Sequence, residues 1–258
     1  LTTDIGTFGV FISEGGLDVE DAASQSVYAR PTDIGDPSAT SDNFTIDSYN
    51  NVQYHTPADL LPFGTSIKVA YAPNTSDSSA GSSGNNAGAV NTIATTNNGR
   101  TATEYQIKTA PYEGLTLGAS YFEFSDSGLA KQDQNPQSGA YYATFSQGPV
   151  SVGYSQAHKT PFLADAAYAT TTSIEEYDQT NYSIAFAASD DLSVSYEVET
   201  SATRQVNDAS VEQESTAVQV AYTMGGMTLA LSHGSHDNNG YTTGNNTEQT
   251  LFAVTMAF

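Results

Sequence analysis

The stretch that decides the fold is Val218-Gln219-Val220-Ala221-Tyr222-Thr223-Met224-Gly225-Gly226-Met227-Thr228-Leu229-Ala230-Leu231-Ser232. Apolar side chains alternate with small or polar ones on both sides of Gly225-Gly226. Successive side chains of a β-strand point to opposite faces, so this spacing of two predicts strands with one apolar face. A Gly-Gly pair between such runs is typical of a tight turn. The stretch therefore predicts an antiparallel hairpin.

The same alternation recurs along the whole chain. It lies at Gly6 to Ile12, Val52 to Tyr71, Tyr105 to Tyr121, Tyr141 to Tyr154, Tyr182 to Val198 and Leu251 to Phe258. Short turns alternate with long connections, which cover roughly residues 13–47, 73–101, 125–138, 158–176, 200–214 and 233–247. This order predicts a single antiparallel all-β domain of about twelve strands, with every long loop at one edge of the sheet.

Composition excludes several classes of protein. Twenty-nine acidic residues against seven basic ones give a formal charge of −22, which repels nucleic acid phosphates. No apolar run approaches the roughly 20 residues that a membrane-spanning helix needs. Cysteine is absent, which excludes a disulfide framework. The 16 Tyr and 11 Phe residues argue against a disordered acidic chain, which is poor in aromatic residues.

Alternation alone fits two opposite arrangements of the apolar face. A soluble β-sandwich, such as an adhesin or a carbohydrate-binding module, buries that face, whereas a transmembrane barrel turns it toward lipid. The barrel is favoured because the opposite face is small or polar and aromatic residues mark the strand ends. The candidates for an interfacial aromatic girdle are Tyr71, Tyr121, Tyr154, Tyr196 and Tyr222. Closure into a barrel would also pair every strand edge, as lipid demands.

Two segments resemble the general porins of Gram-negative bacteria. They are Tyr49 to Pro57 and Phe63 to Pro73, in which a strand ending in Tyr-x-Thr-Pro precedes a short turn and a strand ending in Tyr. Ile5 to Val10 is similar to the porin strand that leads into the constriction loop, a long loop folded back into the barrel. The resemblance implies a sixteen-stranded barrel with long extracellular loops, integral to the bacterial outer membrane as a homotrimer.

The resemblance also implies where the constriction loop lies. Residues 13–47 are expected to be that loop, within a single barrel domain that covers residues 1–258. In the porins this loop follows the fifth strand, whereas here it follows the first recognisable one. We therefore expect that about four N-terminal strands are lacking, with a complete twelve-stranded barrel as the alternative. Phe258 is similar to the C-terminal signal that the outer-membrane barrel assembly machinery recognises.

A diffusion channel needs a narrow place where side chains select solutes, and the sequence offers candidates for it. The predicted constriction residues are Glu14, Asp18, Glu20, Asp21, Arg30, Asp33 and Asp36, with a solvated surface loop as the alternative. Strand parity directs four further charged side chains into the lumen, namely Lys68, Lys108, Glu197 and Glu199. A pore narrower than the roughly 8 Å Debye length exposes ions to these charges, so we expect a preference for cations.

The function predicted from the sequence is passive diffusion of small hydrophilic solutes and ions, without catalysis, catalytic residues, a metal site or a cofactor. Loosely bound Ca²⁺ or Mg²⁺ is compatible with the acidic loops. Expected partners are membrane lipid and lipopolysaccharide. A substrate-specific outer-membrane channel is the nearest alternative. A hydrolase at the barrel rim is another, because His233-Gly234-Ser235-His236-Asp237 brings the residue types of a catalytic triad together.

Overall fold

The computed structural model of the chain describes residues 1–34, 42–57, 59–75, 101–125, 132–134, 136–161, 163–164 and 173–256. The strands are β1 Thr2–Thr3, β2 Gly6–Phe11, β3 Asn51–His55, β4 Ser66–Ala72, β5 Ala102–Tyr112, β6 Leu115–Phe124, β7 Gln132–Gln134, β8 Gln137–Gln147, β9 Val150–Thr160, β10 Leu163–Ala164, β11 Ile174–Ala187, β12 Leu192–Gln205, β13 Ser210–Met224, β14 Met227–Asp237 and β15 Thr247–Met256. Short 3₁₀ turns lie at Glu20–Ala23, Pro31–Asp33, Ile46–Ser48, Pro62–Gly64 and Asn239–Tyr241.

Thirteen of these strands form one antiparallel sheet in which spatial order follows chain order. Only β7 and β10 stand apart, as a separate two-stranded ribbon. The Gly225-Gly226 hairpin has the register expected from its alternation, with Val220 opposite Leu231. The predicted all-β antiparallel meander is confirmed. None of the described helical segments is long and apolar enough to cross a membrane.

The two faces of the sheet have opposite chemistry. The outer face exposes large apolar side chains, with Tyr182 at 55%, Val218 at 59% and Phe252 at 63% of full exposure. The inner face buries polar ones, including Gln106 and Gln219. A soluble protein rarely exposes so extensive an apolar surface, whereas a transmembrane barrel must present one to lipid. The sheet is therefore turned inside out, which contradicts the soluble sandwich.

The tyrosines assigned to an aromatic girdle lie on this outer face. Tyr71, Tyr121, Tyr196 and Tyr222 are exposed, and Tyr154 is partly exposed beside Tyr182, with ring centroids 5.1 Å apart. Tyrosine suits a lipid boundary because its ring is apolar and its hydroxyl group is polar. The outward position of these rings agrees with an interfacial girdle.

Two of the long connections predicted from the sequence are strands for much of their length. β12 and β13 run to Gln205 and from Ser210, so the loop predicted at 200–214 shrinks to residues 206–209. β14 continues to Asp237, into the loop predicted at 233–247. These strand ends carry polar residues on both faces, such as Glu212 and Gln213, because beyond the lipid the outer face has no need to be apolar. The alternation of apolar and polar residues therefore ends before the strand itself ends.

The inner face is less uniformly small and polar than the sequence analysis assumed. Phe122 and Phe124 point inward from β6 and pack against Phe44 and Tyr49, with the two β6 rings 4.8 Å apart. Tyr142 also points inward, into a second cluster. These rings are buried because a long segment of the chain covers them.

A matched pair of substitutions on β11 tests which face meets lipid. Ile184 lies between outward Tyr182 and Phe186, and Ala185 is its inward neighbour at the same depth. We expect Ile184→Lys to lower the free energy of unfolding in lipid vesicles by about 2–4 kcal/mol, and Ala185→Lys to lower it much less. Urea titration monitored by gel mobility of the folded form measures both; an equal loss in the two variants would contradict the inside-out sheet.

Candidate pore constriction

The segment between β2 and β3 lies across the inner face of the sheet. Over residues 13–34 and 42–47 the constriction loop forms hydrogen bonds with inward side chains of strands from β3 to β14. These wall residues are Gln53, Glu104, Gln106, Ser120, Ser138, Ser155, Ser183, Ser195, Glu197, Glu199, Gln219 and His236. The described parts of the loop, residues 13–34 and 42–47, are therefore folded inward and fastened to the wall.

Serine hydroxyl groups of the wall satisfy the loop backbone. Val19 N–H donates to Ser120 Oγ at 3.2 Å, and Val27 N–H donates to Ser195 Oγ at 3.0 Å. Ser183 Oγ donates to the carbonyl oxygen of Ala23 at 2.7 Å. A loop has few internal backbone hydrogen bonds, and a buried group without a partner is costly. These short side chains supply partners while letting the loop approach the wall closely.

Wall carboxylates also act as acceptors for the loop, among them Glu104 and Glu197. Glu104 Oε2 accepts the backbone N–H of Leu17 at 3.3 Å and that of Ile46 at 2.8 Å, so it joins the two ends of the loop. Glu197 Oε2 accepts the hydroxyl groups of Ser24 and Ser26, each at 2.6 Å. Glu197 lies on the inner face, but it is fully buried and fastens the loop instead of lining open water.

Arg30 fastens the far part of the loop. Its guanidinium group pairs with Asp21, with Asp33 at 3.3 Å and with wall residue Glu199 at 3.6 Å. Glu199 Oε2 also accepts the backbone N–H of Thr32 at 3.1 Å. Although burial lowers the pKa of Arg30, the carboxylates of Glu199 and Asp33 outweigh that effect and raise it. Arg30 therefore remains charged and links loop to wall.

Lys159 fastens the return of the loop, and the sequence analysis missed it. Its ammonium group donates to the carbonyl oxygen of Asp42 at 2.6 Å and lies 4.6 Å from the ring centroid of Phe44. It also interacts electrostatically with Glu20 and Asp18. Apolar alternation predicts that β9 ends before Lys159, which would place Lys159 in a surface loop. Its inward parity with Ser155, four residues earlier, was the available signal.

The predicted acidic residues of the loop separate into two groups. Asp18 and Glu20 are turned toward the wall, where Ser120 Oγ contacts Asp18 at 3.3 Å and Glu20 accepts the backbone N–H of Asn43 at 2.8 Å. Burial raises the pKa of Asp18 to about 6, and burial followed by the charges of Asp18 and Asp42 raises the pKa of Glu20 well above its usual range.

The second group of loop acids faces solvent. It consists of Glu14, Asp21 and Asp33, of which the last two also pair with Arg30. Of the predicted constriction acids that the structure describes, these three are exposed. Asp36 lies outside the described residues, as does Phe258.

Lys68 and Lys108 lie on the inner face, toward the short-turn end of β4 and β5. Both are partly exposed. The loop crosses the wall immediately beyond them, where Gln106 donates to the carbonyl oxygen of Leu17 at 2.6 Å. The two lysines therefore lie on the short-turn side of the loop.

The histidine cluster of β14 does not form a catalytic arrangement. Because β14 is a strand, His233 and Ser235 lie on the outer face and His236 on the inner one. His236 Nε2 contacts the carbonyl oxygen of Ile34, and its Nδ1 contacts Ser215 Oγ, each at 2.9 Å. This contradicts the rim hydrolase built on these residues. In the described ranges, no group of three or more His, Asp or Glu side chains is placed to hold a metal ion.

Comparisons with known proteins give a match in fold alone. No protein-family model matches the chain, and no curated protein sequence matches it. Solved structures do match. A porin superposes with a TM-score of 0.64 over 99% of this chain and 79% of its own, at 12% identity. The outer membrane channel DcaP of Acinetobacter baumannii superposes with a TM-score of 0.57 over 97% and 69%, at 13% identity.

The chain has the porin fold. An anion-selective porin from Comamonas acidovorans also shares it, with a TM-score of 0.56 over 81% of this chain and 59% of its own, at 11% identity. The transmembrane barrel class predicted from the sequence is confirmed, and the predicted outer-membrane location agrees with that of DcaP. The expected loss of about four N-terminal strands stays a prediction.

The close approach of loop and wall in this porin fold depends on Gly153 of β9. A Cβ atom there would overlap the backbone oxygen of Ala23. We expect Gly153→Ala to push the 3₁₀ turn at Glu20–Ala23 toward the pore axis, with a stability loss of about 1–3 kcal/mol and a lower conductance. Gly139→Ala on the outer face, where the nearest atom is 3.2 Å away, is the control. Equal behaviour of the two variants in thermal unfolding and conductance would contradict the fastened loop.

The raised pKa values of Asp18 and Glu20 predict that the loop is held more firmly in acid. The docked loop favours the protonated form of Asp18, so docking stability is greatest below the ordinary pKa of 3.8 and falls as pH rises toward about 6. Hydrogen exchange at the amides of Leu17 and Val19, corrected for its intrinsic pH dependence, should show less protection at pH 7 than at pH 4. The Asp18→Asn/Glu20→Gln variant should reduce this difference; an unchanged difference would assign it to other groups.

Proposed function

We propose that the chain forms a passive, water-filled channel in the bacterial outer membrane for small hydrophilic solutes and ions. The observation that carries the proposal is an acidic loop fastened by its backbone to the polar inner face of a sheet whose outer face is apolar. Such a loop narrows the interior at a fixed place without closing a reaction centre. The porin fold of the chain supports the same function.

Within this function we propose a preference for cations. Glu14, Asp21 and Asp33 are exposed residues of the inward-folded loop, and Arg30 is already shared among three acidic side chains. The formal charge of −22 adds a long-range field of the same sign. A substrate-specific channel has less support, because the inward aromatic rings are buried beneath the loop and cannot stack on a solute.

We further propose a homotrimer whose subunits meet at β2 to β4. These strands have only 5 to 7 residues, whereas β11 to β13 have 14 or 15. At a rise of about 3.3 Å per residue and a tilt of about 40°, the short strands span roughly 13–18 Å along the membrane normal. This height is less than that of the apolar band of a barrel, which is roughly 25 Å. Contact between subunits would cover this low wall and its exposed Val10 and Val52.

The remaining expected partners follow from the two faces. Membrane lipid would contact the apolar outer face, and lipopolysaccharide would contact its polar margin at the long-loop end. Recognition by the barrel assembly machinery rests on Phe258. Loosely bound Ca²⁺ or Mg²⁺ stays a prediction.

Planar-bilayer recording of the detergent-purified protein under a KCl gradient tests the channel, its selectivity and its oligomeric state. We expect stable conductance steps, closure of each inserted unit in three equal steps, and a reversal potential that favours cations. The Glu14→Gln/Asp21→Asn/Asp33→Asn variant should shift the reversal potential toward zero, because it removes the loop carboxylates that face solvent.

The matched control removes three carboxylates from the outer face of the sheet, as Glu123→Gln/Glu212→Gln/Glu214→Gln. It has the same net charge as the loop variant, and its reversal potential should remain that of the native protein. Absence of conductance would overturn the channel, single-step closure would overturn the trimer, and an equal shift in both variants would overturn the loop as the selective element.

A further inference from the structure

Three basic side chains meet on the inner face near the short-turn end of β3, β4 and β5. His55 and Lys68 are directly opposite each other in the β3–β4 register. Lys108 is diagonal to Lys68, because Lys68 is opposite Gln106 and Lys108 is opposite Ser66. We call His55, Lys68, Lys108 and the Ser66 hydroxyl group the basic patch. All four residues are partly exposed on this inner face.

Among the Lys and Arg residues that the structure describes, those of the basic patch are an exception. Arg30, Lys159 and Arg204 each interact with several acidic groups. In the described part of the chain, neither Lys68 nor Lys108 has an acidic partner, although the protein has 29 acidic residues. Instead Lys68 and Lys108 repel each other, and the charge of Lys68 also acts on His55.

Like charges side by side destabilise the folded state. A chain with 29 acidic residues could have paired these lysines with carboxylates. Directly opposite side chains on a sheet are about 5 Å apart at Cβ, and diagonal ones about 7–8 Å apart. Lysine side chains are long enough to converge over such distances on one group between them. A bound anion with several oxygens would turn this repulsion into attraction.

We propose that the basic patch is a binding site for solutes that carry a multivalent oxyanion, with the phosphate group as the chemistry that fits it best. Two ammonium groups and a hydroxyl group supply several donors from different directions, which suits the tetrahedral oxygens of phosphate better than a single carboxylate. His55, whose Nε2 donates to Gln53 Oε1 at 2.8 Å, borders the site. The site depends on the proposed channel only in that solutes must reach it.

The position of the patch gives it a distinct role from the acidic loop. Gln53 and Gln106 contact the loop at Gly15 and Leu17, and His55 and Lys108 lie two residues beyond them toward the short-turn end. A solute that passes the loop from the long-loop side therefore meets the patch next. A local cationic site there would retain an anionic or zwitterionic solute that the acidic loop alone disfavours.

Calorimetric titration of the detergent-solubilised, full-length protein with inorganic phosphate tests the site without requiring conduction. We expect saturable binding to the native protein, and about tenfold weaker binding to Lys68→Met/Lys108→Met, since two solvated ion pairs with the anion are lost. Lys68→Arg/Lys108→Arg keeps both charges and should retain binding. Arg204→Gln removes one positive charge from the outer face and should bind phosphate as the native protein does. Acetate should bind more weakly than phosphate.

The outcomes separate this proposal from the channel itself. A native protein that conducts KCl but does not bind phosphate would overturn the patch and leave the channel. A protein that binds phosphate but does not conduct would overturn the channel and leave the patch. Phosphate binding that is unchanged in Lys68→Met/Lys108→Met, or reduced equally in Arg204→Gln, would show that net charge and not the patch is responsible.

Discussion

The hydrogen bonds between the loop backbone and inward wall side chains are the constraint on which the rest of the molecule depends. A loop that enters a barrel gives up water around its N–H and C=O groups and has no neighbouring strand to replace it. Ser120, Ser195 and Glu104 accept hydrogen bonds from loop N–H groups. These three wall residues lie on strands that the sheet itself holds in place. The described parts of the loop, residues 13–34 and 42–47, are therefore held in place by the wall, although most of that segment is irregular.

The fold could be predicted from the sequence because lipid imposes a strict rule on the outer face. Val218, Val220 and Tyr222 alternate with small or polar residues, and the register of β13 and β14 follows from that alternation. The signal fails where lipid ends. Glu212 and Glu214 on β13 occupy the same outer parity as Val218, but beyond the apolar band, so hydrophobicity no longer marks the strand.

The candidate site was less predictable, because the same residue types serve two purposes. Glu197 and Glu199 have the inward parity expected of lumen charges, yet both carry loop contacts. Asp18 and Asp33 belong to the same acidic run, but one packs against the wall and the other faces solvent. Only the path of the loop decides between these roles, and that path depends on contacts with residues more than 100 positions away, such as Ser120 to Val19.

The strands of the wall differ in height, and this difference affects how a molecule approaches from outside the cell. On the β11 to β13 side the strands extend well beyond the lipid and carry polar residues there. In this part Arg204 forms ion pairs with Glu175 and Glu176. On the β2 to β4 side the wall is low. Within the described residues the strands on the two sides therefore end at different heights, so a bulky molecule that approaches from above the lipid meets the β11 to β13 side first.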